Sequence, residues 1–272
     1  MGLPMVSSVP SSPAAEAQLN LTAPLVEVFS AIQGEGLNVG TRQIFIRFAQ
    51  CDLRCHFCDS AHTWYSRPTC QIEQSPGQRD FQTYPNPVTI DQLLAWVKDL
   101  HGPHLHDSIS LTGGEPLLQS QFLQRLLPQL RETIGLPLYL ETGGHRPQEL
   151  QQVLAWLDLV GMDIKLPSAS GENYWTAHAE FLRCCHTAGV EVFCKLILSQ
   201  QTEAEELEQT TELIASIDPA IPLILQPVTP LGNKPQILAP TPAQVLHWQA
   251  LCKTRLKQVR VIPQTHKMIG QL

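Results

Sequence analysis

Three cysteines, Cys51, Cys55 and Cys58, are the feature that most constrains what this chain can fold into. Three residues separate the first pair and two separate the second, so one short loop can direct all three thiols to a common metal centre. Cysteine thiolates hold iron–sulfur clusters, and a four-iron cluster with three cysteine ligands leaves one iron free for an outside ligand. An open coordination position is typical of catalytic metal sites.

Structural zinc is the main alternative, because short cysteine spacings are common in zinc sites and His56 or His62 could supply a fourth ligand. Zinc ribbons and fingers are small modules whose metal replaces a missing hydrophobic core. Here the cysteines follow an apolar run, Ile44 to Phe48, in a chain of 272 residues that is long enough to bury its own core. This context favours an iron–sulfur cluster over a zinc-stabilised binding module.

Composition favours an enzyme that acts on a small molecule. The formal net charge is -7 with ten histidines counted as neutral, whereas proteins that bind nucleic acids usually present a basic face. No charged signal-peptide start precedes Arg42, and no apolar run has the length of a membrane span. Together with eight cysteines, this predicts a reducing, cytoplasmic location without a nucleic-acid or membrane partner.

The chain divides into a lead-in and one core domain. Residues 1–23 are rich in Ser, Pro and Ala and show no hydrophobic period, which predicts a disordered N-terminal extension. Residues 24–272 form the predicted core domain. Within it, residues 66–88 are rich in Pro, Gln and Thr and are interpreted as an insertion on the surface.

Short apolar strands alternate with helical patterns after Thr89, which can cap a helix that begins at Ile90. This alternation predicts a parallel sheet with crossover helices, either open or barrel-like. The predicted strands are 108–112, 138–141, 159–165, 190–198, 223–226 and 259–262, and the predicted helices lie near 120–134, 148–157, 174–188, 202–217 and 242–256.

Polar segments follow several of these strands. They are Thr112 to Pro116, Glu141 to Gly144, Asp163 to Lys165 and Gln226 to Thr229. Ligands of parallel α/β folds bind at the carboxyl ends of the strands, so these segments and the cysteine loop are expected to meet at one edge of the sheet.

The cysteine spacing, followed by Gly113-Gly114-Glu115-Pro116, resembles the radical S-adenosylmethionine (SAM) superfamily. The resemblance implies a partial (β/α) barrel of that type, a 4Fe–4S cluster, and SAM as the second cofactor. Its Gly-Gly-Glu segment is expected to meet the methionyl amino group. A glycyl-radical activating enzyme, which acts on a protein chain, shares the cysteine spacing and is the alternative enzyme.

Within that superfamily the chain is similar to the 7-carboxy-7-deazaguanine synthase family from Val26 to Leu272. The motifs that carry the similarity are Gln33-Gly34-Glu35-Gly36, Phe45 to Phe48, Cys58-Asp59-Ser60, Leu111 to Leu118 and Gln264-Thr265-His266-Lys267. The resemblance implies a carbon–nitrogen lyase that rearranges 6-carboxy-5,6,7,8-tetrahydropterin to 7-carboxy-7-deazaguanine with loss of ammonia, for queuosine biosynthesis. It also implies Mg²⁺, a reductant such as flavodoxin or ferredoxin, and a homodimer.

Site residues follow from the resemblance position by position, without a general acid or base. The cluster ligands are Cys51, Cys55 and Cys58. The residues that contact SAM are Phe57, Cys58, Asp59, Gly114, Asp163, Ile164, Lys165, Gln226, Pro227, Val228 and Thr229, and those that contact the pterin are Ile32, Gln33, Gly34, Arg47, Thr112, His266 and the terminal carboxylate of Leu272. Ser60, where the family usually has threonine, is the expected Mg²⁺ ligand. Gly143 replaces the family's usual asparagine.

Overall fold

The computed structural model describes residues 21–230 and 237–271. Its strands are β1 (Thr22–Ala23), β2 (Leu25–Ile32), β3 (Arg42–Phe48), β4 (Thr69–Glu73), β5 (Phe81–Pro85), β6 (Val88–Thr89), β7 (Ser108–Gly113), β8 (Leu138–Thr142), β9 (Leu159–Asp163), β10 (Glu191–Leu198), β11 (Leu223–Pro227) and β12 (Val259–Val261). Its α-helices are α1 (Ile90–Leu100), α2 (Ser120–Thr133), α3 (Pro147–Val153), α4 (Pro167–Ser170), α5 (Trp175–Ala188), α6 (Ala204–Ala215), α7 (Pro242–Lys253) and α8 (Thr265–Met268).

Within the described residues, ten strands form one sheet in the order β12-β11-β10-β9-β8-β7-β3-β2-β4-β5. Pairing is parallel from β12 through β7 to β3, whereas β2 lies antiparallel to β3 and β5 antiparallel to β4. The sheet does not close on itself. This architecture confirms the predicted partial (β/α) barrel.

The strands are amphipathic with a period of two, and this alternation decides where the cavity forms. On β8, Leu138 and Leu140 belong to the main apolar core shared with the helices, whereas Tyr139 and Glu141 face the other side. On β10, Cys194 and Leu196 point into the same core, while Lys195 lies on the opposite face. The outer face therefore packs against the helices, and the inner face lines a polar cavity.

The segment between β2 and β3 enters the inside of the curved sheet. A 3-10 helix, Gly36–Asn38, places Leu37 against the inner apolar cluster of Tyr139, Leu159, Phe193 and Ile224. A side chain at Gly36, whose φ is +67°, would meet the Phe193 ring at 2.4 Å. The turn therefore fills one end of the barrel interior and leaves the other end for a ligand.

The chain before β2 and the segment 66–88 both contribute strands. Thr22 and Ala23 pair with Thr89 and Val88, and Ala23 is buried. Residues 69–85 form the β4–β5 hairpin at one edge of the main sheet, where β4 pairs with β2. Residues 1–20 of the predicted extension lie outside the described residues, and no helix in the described part of the chain has the length and apolarity to cross a membrane.

Candidate active site

A cavity of about 580 Å³ opens where the cysteine loop, the carboxyl ends of the strands and the C-terminal segment meet. We call its two sides the strand-end wall and the tail wall. The strand-end wall consists of Cys51, Cys55, Cys58, Gly114, Asp163, Lys165 and Gln226, and the tail wall consists of Gln33, Gly34, Glu35, Arg47 and His266. The predicted convergence of polar segments on one site is therefore present.

The cysteine loop follows β3 and is tied to the rest of the fold at several points. The Asp52 carboxylate accepts hydrogen bonds from His145 Nε2 at 3.0 Å and Arg146 Nη2 at 2.7 Å. The backbone N–H of His56 donates to the carbonyl oxygen of Ala169 at 3.0 Å, and Arg54 donates to that of Cys51 at 2.6 Å. These bonds fix the loop, so the thiols have a defined direction before any ligand binds.

The thiols fit the cluster that the spacing predicts. Cys51, Cys55 and Cys58 are free of disulfides and line the same cavity. Burial raises the pKa of the Cys51 thiol to about 11 and also raises that of Cys55, so the metal has to displace protons when it binds.

Two further features of the strand-end wall fit a nucleoside cofactor beside the thiols. A Cβ on Gly114 would lie 2.1 Å from the carbonyl oxygen of Gln50, so only glycine allows this close approach of two backbone segments. Gln226 is 2% exposed, and its buried Oε1 accepts no hydrogen bond from the described residues. A buried amide oxygen without a partner is costly, and a ligand N–H or O–H in the cavity would satisfy it.

Glu115 supports the wall from behind. Its carboxylate accepts hydrogen bonds from Thr142 Oγ1 at 2.8 Å, from the Gly143 N–H at 2.8 Å and from the Leu117 N–H at 3.0 Å. The side chain is 1% exposed. Glu115 thus joins the end of β7 to the end of β8, and these bonds hold its carboxylate in place where it borders the cavity.

Charged groups from three segments meet in the centre of the cavity. Lys165 Nζ lies 2.8 Å from Asp163 Oδ2, and Lys195 Nζ lies 3.1 Å from Asp163 Oδ1 and also contacts the Glu35 carboxylate. Burial by itself would raise the pKa of Asp163 and Glu35, but these ammonium groups outweigh it and hold both pKa values below the usual range. Asp163 and Glu35 are therefore ionised and available to accept hydrogen bonds.

The tail wall holds the remaining predicted ligand-binding groups. Arg47 Nε donates to Glu27 Oε1 at 2.7 Å, which leaves the rest of its guanidinium facing the cavity, where an anion can bind in a bidentate manner. Gln33 Nε2 donates to Glu141 Oε1 at 2.7 Å. Burial, which is the largest cause, raises the pKa of Glu141.

The C-terminal segment packs against the β2–β3 turn and completes the tail wall. The Thr265 N–H donates to the Gly34 carbonyl oxygen at 2.9 Å, and Gln264 Nε2 donates to Glu35 at 2.7 Å and to Asp59 at 2.9 Å. A Cβ on Gly34 would lie 2.2 Å from His266 Nδ1, so the absence of a side chain there lets the histidine approach.

Most of the residues predicted from the sequence line this one cavity. They are Ile32, Gln33, Gly34, Arg47, Cys51, Cys55, Phe57, Cys58, Asp59, Ser60, Thr112, Gly114, Asp163, Lys165, Gln226, Val228, Thr229 and His266. Ile164 is a buried neighbour of Asp163, and Pro227 follows Gln226 at the end of β11. Leu272 lies outside the described residues.

Sequence reasoning missed Glu27 and Lys195 of the cavity, and it placed Glu35 and Glu141 only within a motif and a polar segment, without a role of their own. Glu141 and Lys195 stand in otherwise apolar strands, and charged residues are almost never buried without a partner. A charged residue between apolar neighbours in a predicted buried strand was the signal that could have identified Glu141 and Lys195 as lining a polar site. Their mutual contacts, by contrast, join segments far apart in sequence and have no local signature.

The model of the Radical SAM superfamily matches residues 45–214, which include the cysteine loop and strands β7 to β10. The chain therefore belongs to the radical SAM superfamily, whose cofactors are a 4Fe–4S cluster and SAM.

The relatives define the member more narrowly. A 7-carboxy-7-deazaguanine synthase of Geobacter sulfurreducens is 46% identical over 92% of this chain and 98% of its own length. One from Thermococcus kodakarensis is 34% identical over 76% of this chain and 84% of its own length. Within the superfamily, this chain belongs to the 7-carboxy-7-deazaguanine synthase family.

Solved structures agree on the fold. QueE from Escherichia coli superposes with a TM-score of 0.59 at 21% identity, and the match covers 94% of this chain and all of that one. Streptococcus suis SuiB, solved with SAM bound, gives a TM-score of 0.54 at 12% identity over 80% of this chain and 51% of its own. At these identities the likeness concerns the architecture alone.

Proposed function

We propose that this chain is a 7-carboxy-7-deazaguanine synthase, a carbon–nitrogen lyase that converts 6-carboxy-5,6,7,8-tetrahydropterin to 7-carboxy-7-deazaguanine with loss of ammonia. The observation that carries the proposal is the 46% identity to a synthase of that name over nearly the whole chain. It is supported by the tail wall, which brings Gln33, Arg47 and His266 to the same cavity as the cysteines.

The strand-end wall would hold both cofactors. Cys51, Cys55 and Cys58 would bind the cluster, which when reduced supplies the electron that cleaves SAM to a 5′-deoxyadenosyl radical. Gln226 Oε1 is an unused buried acceptor for the nucleoside, and Gly114 keeps the backbone close to it. The protein's contribution on this side is to orient the cofactor and exclude water from the reactive species.

The tail wall would hold the pterin. Arg47 is suited to the substrate carboxylate, because a guanidinium forms two parallel charge-assisted hydrogen bonds with such a group. Gln33 and His266 offer donors and acceptors to the pterin ring. The absence of a side chain at Gly34 lets His266 lie against the β2–β3 turn beside Gln33. The terminal carboxylate of Leu272 and the side chains of Ile32 and Thr112 complete this proposed set.

Further parts of the proposal concern partners and setting. Ser60 Oγ lies 3.0 Å from Asp59 Oδ1, and such a pair of hard oxygen donors suits Mg²⁺ near the substrate carboxylate. The same proposal includes a flavodoxin- or ferredoxin-like reductant, a homodimer and a cytoplasmic location. It also includes a single core domain over residues 24–272 with the 66–88 insertion.

The test is anaerobic incubation of the reconstituted enzyme with SAM, a reductant, Mg²⁺ and 6-carboxy-5,6,7,8-tetrahydropterin, followed by mass spectrometry. The expected products are 7-carboxy-7-deazaguanine and ammonia. Omission of Mg²⁺ is expected to slow the reaction. Formation of 5′-deoxyadenosine without any deazapurine would refute the substrate assignment and leave the superfamily assignment standing.

A further inference from the structure

Lys195 joins the two walls of the cavity, and neither the sequence motifs nor the family resemblance gave it a role. It lies on β10, directly opposite Asp163 in the parallel register with β9. Its side chain is 12% exposed. Its ammonium contacts the Glu35 carboxylate and lies 3.1 Å from Asp163 Oδ1.

Glu35 belongs to the tail wall through several bonds. Its backbone N–H donates to Gln33 Oε1 at 3.0 Å, and its Oε1 accepts from Gln264 Nε2 at 2.7 Å. A change in the position of Glu35 therefore moves Gln33 and the start of the segment that carries His266. Lys195 therefore contacts the tail wall through the Glu35 carboxylate.

Asp163 belongs to the strand-end wall. Its Oδ2 accepts from Lys165 Nζ at 2.8 Å, and Lys165 in turn lies 5.5 Å above the centre of the Phe57 ring, between Cys55 and Cys58 in the sequence. Within the part of the chain that the structure describes, Lys165 forms no ion pair with Glu35, so the ionic contact between Glu35 and Asp163 passes through Lys195. Gln264 makes a second, uncharged contact between Glu35 and Asp59.

Electrostatics make this bridge hard to replace. Glu35, Glu141 and Asp163 gather in the interior of the cavity, and the charge of Glu35 raises the pKa of Glu141, while that of Asp163 acts to raise the pKa of Glu35. Lys195 acts to lower the pKa of all three. Without its ammonium, Glu35 loses its ionic partner, and its repulsion from Asp163, which Lys165 still pairs, favours a wider separation of the two walls.

We propose that Lys195 is a positioning residue that couples the two ligand subsites, so that binding of SAM and binding of the carboxypterin strengthen each other. The inference rests on the proposed function, since it takes SAM at Asp163 and Lys165 and the pterin at Gln33 and Gly34. A ligand that orders one wall also orders the other through the Glu35–Lys195–Asp163 bridge. By thermodynamic linkage, each ligand raises the affinity for the other by the same factor.

The test measures this factor without turnover. The cluster-loaded enzyme is kept anaerobic and without reductant, so SAM and 6-carboxy-5,6,7,8-tetrahydropterin both bind but do not react. Titration calorimetry gives the Kd for SAM with and without saturating pterin. We expect the pterin to tighten SAM binding about 5- to 20-fold in the wild type. Lys195→Met keeps a side chain of similar length and removes the charge. In this variant the ratio of the Kd values for SAM without and with pterin is expected to fall below about twofold, and Lys195→Arg is expected to retain part of the wild-type ratio.

Lys165→Met is the matched control, because Lys165 shares Asp163 but does not reach Glu35. It is expected to weaken SAM binding while the ratio stays near that of the wild type. Circular dichroism and iron content establish that each variant is folded and loaded. If Lys195→Met does not fold, Glu35→Gln breaks the same bridge from the other wall, and its ratio is expected to fall in the same way.

Two results overturn the inference. One is a wild-type ratio of about one, and the other is a wild-type ratio that survives in a folded Lys195→Met or Glu35→Gln variant. These outcomes are separate from a failure of the proposed function. A wild-type enzyme that makes no deazapurine refutes the function, whereas one that makes it with a ratio independent of Lys195 refutes the coupling alone.

Discussion

The two walls of the cavity are built in different ways. The strand-end wall is made of groups at or after the ends of β3, β7, β9 and β11. The sheet register fixes the spacing of Gly114, Asp163 and Gln226, and bonds such as those of Asp52 hold the cysteine loop against them. The tail wall assembles the β2–β3 turn, a side chain of β3 and the C-terminal segment through hydrogen bonds such as Thr265 N–H to Gly34. The strand-end wall therefore depends mainly on the register of the sheet, and the tail wall mainly on contacts between segments that are distant in sequence.

The difference also explains what the sequence could predict. The cysteine loop, Gly113-Gly114 and Asp163 are contiguous with their strands, so local pattern identified them and placed them at one edge of the sheet. The strands from β7 to β12 and the helices between them were predicted for the same reason. The β4–β5 hairpin was not, because residues 66–88 lack a period and form their strands by pairing with β2 and with each other.

Side-chain contacts between residues that are distant in sequence could not be predicted from local sequence patterns. Arg47 and His266 were identified by resemblance, but the Glu27 carboxylate that positions Arg47 was not, since nothing in the sequence pairs two residues on adjacent antiparallel strands without the register. Lys195 was missed likewise, because an isolated charge within β10 reveals its partners only once β9 lies beside it.

The largest expected effect concerns the strand-end wall. Cys55→Ala removes one of three cluster ligands and leaves a buried site that cannot be completed from the loop. We expect loss of the cluster, of 5′-deoxyadenosine and of deazapurine together. Iron and sulfide analysis with visible absorption checks the cluster. Cys70→Ala is the matched control, since Cys70 is also buried but lies on β4, away from the cavity.

The next prediction distinguishes the function of the tail wall from that of the strand-end wall. Arg47→Ala is expected to keep the cluster and SAM cleavage but to lower kcat/KM for the pterin about 100-fold or more, which corresponds to the loss of a charge-assisted bidentate contact. Product assays for 5′-deoxyadenosine and deazapurine are run side by side. Equal losses of 5′-deoxyadenosine and deazapurine would mean that Arg47 is not specific to the binding of the pterin.

A smaller effect tests how the tail wall is packed. In Gly34→Ala the new methyl group would meet His266 at 2.2 Å, so the C-terminal segment has to shift. We expect KM for the pterin to rise about 10-fold, with SAM binding nearly unchanged. Gly102→Ala is the control, because its methyl group would meet the flexible end of Leu105 at 3.2 Å outside the cavity. An unchanged KM in Gly34→Ala would show that His266 does not need this approach.

The last prediction concerns stability rather than activity, and it probes the support of the strand-end wall. Buried His178 accepts from the Lys165 N–H at 3.0 Å, so its Nδ1 carries the proton and donates to the Gly144 carbonyl oxygen at 2.9 Å. Burial lowers its pKa to about 4, below the ordinary value near 6.5. Because the folded-state pKa is the lower one, the unfolded chain takes up a proton first, and stability is lost as the pH falls from 6.5 towards 4.

This loss is about 2–3 kcal/mol between pH 7.5 and 4.5 for one such histidine. Denaturant titrations across this range are expected to show a shallower pH dependence for His178→Gln than for the wild type. His186→Gln, at an exposed position of α5, controls for the removal of a histidine from the same helix. Identical slopes for His178→Gln and the wild type would mean that His178 does not remain neutral in the fold.

The most direct measurement of the central claim is Mössbauer spectroscopy of the ⁵⁷Fe-reconstituted enzyme with and without SAM. Three thiolates from one loop are expected to give a four-iron cluster in which one iron differs from the other three and changes its spectrum when SAM is added. Four irons that are equivalent in both samples would mean that a fourth protein ligand closes the cluster, and this would contradict the account.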